Sequence, residues 1–203
     1  MDRPVYIGGM EERRNLETPA RERILLAAHD LFYREGVRAT GVDRLIVAAG
    51  VTKVTFYRHF PAKNDLVRAF LAYRHGLWMA WFEAALERHR TAQSADDPLA
   101  PLRLALAEWF EDPQFRGCAF INAVAELGGA LPEVREIAAA HKRDMTAAIA
   151  GLLPDDPRAQ RVAQAAALAV DGAIVRAQTG VEGTQGALAA LKDALGALPT
   201  RLG

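Results

Sequence analysis

The sequence predicts an all-α protein, with a small N-terminal head of three helices joined to a larger C-terminal helical body. Apolar residues recur at helical spacing almost throughout, and no stretch alternates apolar and polar residues long enough to make a strand. Clusters of Gly, Pro and Asp punctuate the periodic segments. At 203 residues, 51% hydrophobic and 25% charged, the chain can bury a substantial core and lies outside the disordered class.

Each element follows from local signals. Residues 1–17 are polar and aperiodic, so a mobile arm is expected. Thr18 before Pro19 predicts an N-cap with proline at the first helical position. Ile24, Ala28, Leu31 and Phe32 share one face of that helix, and Gly36 fits a left-handed C-cap. Thr40 and Asp43 have capping-box spacing for a short second helix with Leu45, Ile46 and Ala49 inward and Gly50 closing it. Thr52 then caps a third helix carrying Phe56 and Phe60 up to Pro61. A long helix over about residues 62–90 follows, then a polar linker from Gln93 to Pro98. Further helices are expected at about 98–111, 118–128, 132–152, 157–179 and 184–197. The expected division is an arm over 1–17, a head over 18–63 and a body over 64–203.

Twenty-five basic residues balance twenty-five acidic ones, yet the balance is uneven along the chain. Between Gly36 and Lys63, five basic residues stand against Asp43 alone, a surplus of four positive charges. A basic segment on a mildly acidic body suggests a polyanion-binding head. The lone cysteine, Cys118, excludes an intrachain disulfide and fits a reducing cytosol. No apolar run reaches a membrane span and no leader pattern opens the chain, so a soluble cytoplasmic protein without a membrane partner is expected.

Two short helices joined through Gly50-Val51-Thr52 have the grammar of a helix-turn-helix. With Phe56 and Phe60 inward, Lys53, Val54, Tyr57 and Arg58 face out, as a helix entering the major groove requires. Thr40 and Thr52, at helix starts, suit phosphate oxygens. His59 and Lys63 flank the end, and Arg44 is a further candidate for base contact. The bland alternative is a solvated amphipathic helix pair with ordinary caps.

The run Ala49-Gly50-Val51-Thr52, then Thr55-Phe56-Tyr57-Arg58-His59-Phe60 and Lys63, resembles the DNA-binding head of the tetracycline-repressor (TetR) family over residues 18–66. Ala39-Thr40-Gly41-Val42 departs from the usual threonine pair at one position. The resemblance implies an all-helical homodimeric repressor that binds a palindromic double-stranded operator and releases it when a small-molecule effector occupies the C-terminal domain. On that pattern Thr40, Thr52, Tyr57, His59 and Lys63 match phosphate-holding positions. Lys53, Val54 and Tyr57 match positions that meet base edges.

In the body, Trp78, Trp81, Phe82, Trp109 and Phe120 could line an effector cavity, against the simpler reading of core packing. Asn122, Glu126, His141 and Asp171 are polar groups inside apolar runs, so they satisfy one another or face a ligand. Glu126, His141 and Asp171 have the chemistry of a metal site, but nothing in their spacing fixes a geometry, and no metal or cofactor is expected. Cys118 at a helix start has a sensor reading and a plain buried-residue reading. The segment Arg116–Asn122 with Ala125-Glu126 and His141-Lys142-Arg143 resembles the C-terminal domains of one TetR subgroup.

The last two helices, rich in Ala and Leu, suggest a two-fold four-helix interface between protomers, against the alternative that both cover the monomer's own core. No catalytic motif is found, so an enzyme is not expected. A ligand-independent architectural DNA-binding protein is the other alternative.

Overall fold

The structure, a computed structural model, describes residues 18–92 and 97–199. The expected arm over 1–17, and most of the linker at Gln93–Pro98, lie outside the described residues. The described residues form nine α-helices and no strand: α1 (Ala20–Glu35), α2 (Val42–Ala49), α3 (Lys53–His59), α4 (Lys63–Ala92), α5 (Ala100–Phe110), α6 (Ala119–Leu127), α7 (Glu133–Ala150), α8 (Ala159–Thr179) and α9 (Gly183–Gly196).

These helices fall into two compact units. Among the described residues, one comprises those up to Leu77 together with Ala119–Ala138; the other comprises those within Trp78–Cys118 and from Ala139 onward. The helix-turn-helix over 18–63 lies wholly within the first. The first half of α4, all of α6 and the start of α7 group with it, so this unit extends beyond the local motif.

In the first unit α1 packs on α2 and α3. Ile24, Ala28, Leu31 and Phe32 are buried, as are Leu45, Ala49, Phe56 and Phe60. Two expected caps fall differently. Helix α1 starts at Ala20, with Pro19 rather than Thr18 at the N-cap position. Helix α2 is capped by Gly41 backbone alone. Thr40, expected as its cap, is fully buried and donates its hydroxyl to Gly36 O at 2.8 Å. A buried hydroxyl must find an acceptor, and the carbonyl left free at the end of α1 supplies it.

Gly36 has φ 90° and ψ 153°, a positive φ but not the left-handed helical cap expected. Gly50 does adopt that conformation, with φ 60° and ψ 42°, and its N–H closes α2.

In the second unit α8 packs on α9, and α9 also packs on α5. Trp78, Phe82 and Trp109 are buried, as are Val162, Ala166, Val170, Ala173, Leu191 and Leu195. Cys118 is buried too. No described helix is long and apolar enough to cross a membrane.

Candidate nucleic-acid interface

The interface begins with the turn before α3. The Thr52 side chain accepts the Thr55 N–H at 3.1 Å, which fixes the first turn of the helix. Behind it, Phe56 is completely buried, and its ring lies 6.4 Å from that of Phe60. These two anchors determine which face is left for solvent. Lys53, Val54, Tyr57 and Arg58 are all exposed, Val54 at 69% and Tyr57 at 41%. An exposed valine has no structural use on a helix whose apolar face is already seated, but it suits a thymine methyl. Tyr57 leans edge-on against Phe56, with centroids 5.4 Å apart, so its ring is held while it remains open to solvent. His59 is half-buried at the end of the helix.

Three candidates are placed otherwise than the sequence suggested. Besides burying its hydroxyl, Thr40 offers no side-chain surface for a phosphate. Lys63 turns inward: its ammonium donates to Val37 O and lies 5.8 Å above the Phe32 ring. Loss of solvent pushes its pKa below the ordinary lysine value, with the Glu126 charge pulling the other way. Arg44 is exposed but paired with Glu35, which also binds Arg34. The Arg34 hydrogen bond, followed by Arg44, holds the Glu35 carboxyl below its usual range against the opposing effect of desolvation.

Other residues at the motif were not singled out from sequence. Arg23 of α1 donates to Thr18 O, Ala49 O and Gly50 O at 3.1, 3.1 and 3.3 Å, clamping the turn between α2 and α3. Nothing local marks it, because its acceptors at the turn lie 26 and 27 residues away. Val47 on α2 is 80% exposed, a second apolar group open to solvent beside α3.

The candidate effector residues are divided between the two units. Trp78, Trp81, Phe82, Trp109 and His141 form a ring cluster in the second unit, with Trp78 at 4.5 Å from Phe82, 5.5 Å from Trp109 and 5.1 Å from His141. Asp171 belongs to that unit but is paired with Lys142. Phe120, Asn122 and Glu126 belong to the first unit. There Phe120 packs against His75 and Glu126 accepts the Arg38 N–H. No group of His, Cys, Asp or Glu suited to a metal occurs among the described residues.

A seated helix with an exposed, basic, partly apolar face, behind a glycine turn, defines a DNA-binding helix-turn-helix protein. Residues 24–70 match the model of the bacterial regulatory proteins, tetR family. The HTH-type transcriptional regulator TtgR of Pseudomonas putida is 31% identical over 173 residues, covering 77% of this chain and 79% of TtgR. The solved structure of SCO4454, a TetR-family transcriptional regulator from Streptomyces coelicolor, aligns with a TM-score of 0.74 at 26% identity, over 97% of this chain and 99% of that one. A cysteine mutant of the TetR family regulator CifR, solved with a 26bp double-strand operator DNA, shares the fold with a TM-score of 0.71 at 22% identity, over 88% and 97%. The chain belongs to the TetR family of transcriptional regulators.

Proposed function

We propose that this protein is a cytoplasmic, effector-responsive repressor that binds a palindromic operator as a homodimer and leaves it when a small molecule occupies the body. The exposed face of α3 carries this reading. Lys53 reads a base edge, Val54 contacts a thymine methyl, and Tyr57 spans base and backbone, while Thr52, Arg58 and His59 hold phosphates. CifR, of the same fold, was solved on duplex operator DNA.

A single seven-residue recognition helix makes too few contacts for tight operator binding, which favours two heads per complex. Leu168 and Val175 support pairing through the last helices. They stand two turns apart on one face of α8 and are exposed at 74% and 43%. The effector acts by binding one arrangement of the body more tightly than the other, a coupling of about 1–3 kcal/mol in typical cases.

The test is selection of genomic fragments followed by affinity measurements on selected and random DNA at two salt concentrations. A regulator prefers its selected site by about a thousandfold or more. An architectural protein binds both with a steep salt slope, and an enzyme binds neither. The direction of regulation is read from a reporter driven by the selected promoter, where repression is expected.

A further inference from the structure

Trp78 and Trp109 carry indole N–H groups that are buried and without a hydrogen-bond partner among the described residues. Their residues are 3% and 2% exposed. Indole nitrogen is a donor only, and a donor kept dry and unpaired is costly, so native proteins seldom retain one without a use. Here two occur side by side, on α4 and α5.

Their surroundings define what is missing. Phe82 stacks on Trp78, Phe115 meets Trp109 edge-on at 5.1 Å, and His141 lies 5.1 Å from Trp78. Trp81 touches both indoles, at 6.2 and 6.4 Å, and is only partly buried, which leaves one side of the cluster open to solvent. Of the ionic groups on these helices, Lys142 is matched by Asp171, and Arg88 and His89 by Glu108. A charge of either sign would incur a large desolvation cost among these rings, and a cation would also face two N–H dipoles of the wrong sign.

We infer that this cluster takes an uncharged planar aromatic molecule with an acceptor oxygen, which accepts from the indole N–H of Trp78 or Trp109 while its ring stacks among the others. This names the chemistry of the effector and rests on the reading of the body as an effector domain. Asp112 Oδ2, a buried acceptor without a partner among the described residues, would instead favour a cation. A cationic probe is therefore included in the test.

The chain contains three tryptophans, so its indole N–H signals are few enough to follow by 15N NMR, with assignment from Trp→Phe variants. The intact protein is titrated with 2-acetylnaphthalene, with 2-ethylnaphthalene, which matches its shape but lacks the acceptor, and with 2-naphthyltrimethylammonium. The expected result is a downfield shift of the Trp78 or Trp109 indole proton with the ketone alone, and about tenfold tighter binding of the ketone than of the hydrocarbon, the worth of roughly one hydrogen bond. Trp78→Phe or Trp109→Phe should bring that ratio close to one. Equal affinity for ketone and hydrocarbon, preference for the cation, or no binding of any probe overturns the inference. The wild-type shifts decide the matter even if neither variant folds. Operator occupancy is followed in parallel. Ketone binding that leaves the operator occupied sustains the ligand chemistry and removes the release mechanism. Release by the cation alone does the reverse.

Discussion

The Glu126 carboxylate accepts the Arg38 backbone N–H at 2.8 Å, which ties α6 to the loop that follows α1. Lys63 holds the same loop through Val37 O, and Thr40 closes it on Gly36 O. That loop leads directly into α2, so these contacts set where the helix-turn-helix begins. Glu126→Ala removes one acceptor worth about 0.5–1.5 kcal/mol. Amide exchange at Arg38 should quicken by the corresponding few-fold to tenfold, with a parallel loss of operator affinity. Unchanged exchange at Arg38 would show that the contact does not hold the loop.

Gly36 offers a second handle on the same junction. Its φ of 90° with ψ of 153° is a region that side-chain-bearing residues rarely adopt, and an added Cβ would lie 3.1 Å from Glu126 Oε1. Gly36→Ala should therefore cost about 1–3 kcal/mol of stability, measured by denaturant unfolding.

Tyr57→Phe removes only an exposed hydroxyl and leaves the edge contact with Phe56 intact. Operator affinity should fall by about 1 kcal/mol, measured by fluorescence anisotropy. The melting temperature should not move.

Lys53→Ala separates two roles. If Lys53 holds a base, discrimination against a mismatched site falls by about 1–3 kcal/mol. If it holds a phosphate, binding weakens alike on all sequences and the salt slope falls by about one unit. The first outcome is expected.

Glu35 holds the exposed Arg44 guanidinium in an ion pair. Glu35→Gln should strengthen non-specific binding and steepen the salt dependence by about one unit as Arg44 is released to a phosphate. The variant also has a pH signature. The folded Glu35 carboxyl is held below its ordinary value, chiefly by Arg34 and then by Arg44. Its contribution is therefore present above the unfolded carboxylate range and is lost as pH falls through the folded value. Thermal melts across the acidic range should show a shallower decline for Glu35→Gln than for wild type.

What could be read in advance depended on distance along the chain. Thr52, Gly50 and the inward pair Phe56 and Phe60 were legible because a cap, a left-handed glycine and a helical face are each set within a few residues. The helices after Pro98 were legible as helices for the same reason. Thr40 and Glu126 were not. Thr40 has the right spacing for a cap, but tertiary burial turned its hydroxyl to Gly36 O instead. Glu126 looks like a pocket acid in an apolar helix, and its partner is 88 residues away. Arg23 was invisible for a related reason, since backbone carbonyls at a distant turn leave no mark in composition. Lys63 was misplaced because a lysine after a recognition helix looks exposed until the Phe32 ring beneath it is known.

Hydrogen exchange of the intact protein, with and without its selected operator, tests most directly the claim that the outer face of α3 docks on duplex DNA. The account predicts marked slowing over residues 52–59 on operator, with far less slowing on random DNA of the same length. Unchanged exchange over 52–59 while another segment becomes protected would contradict it.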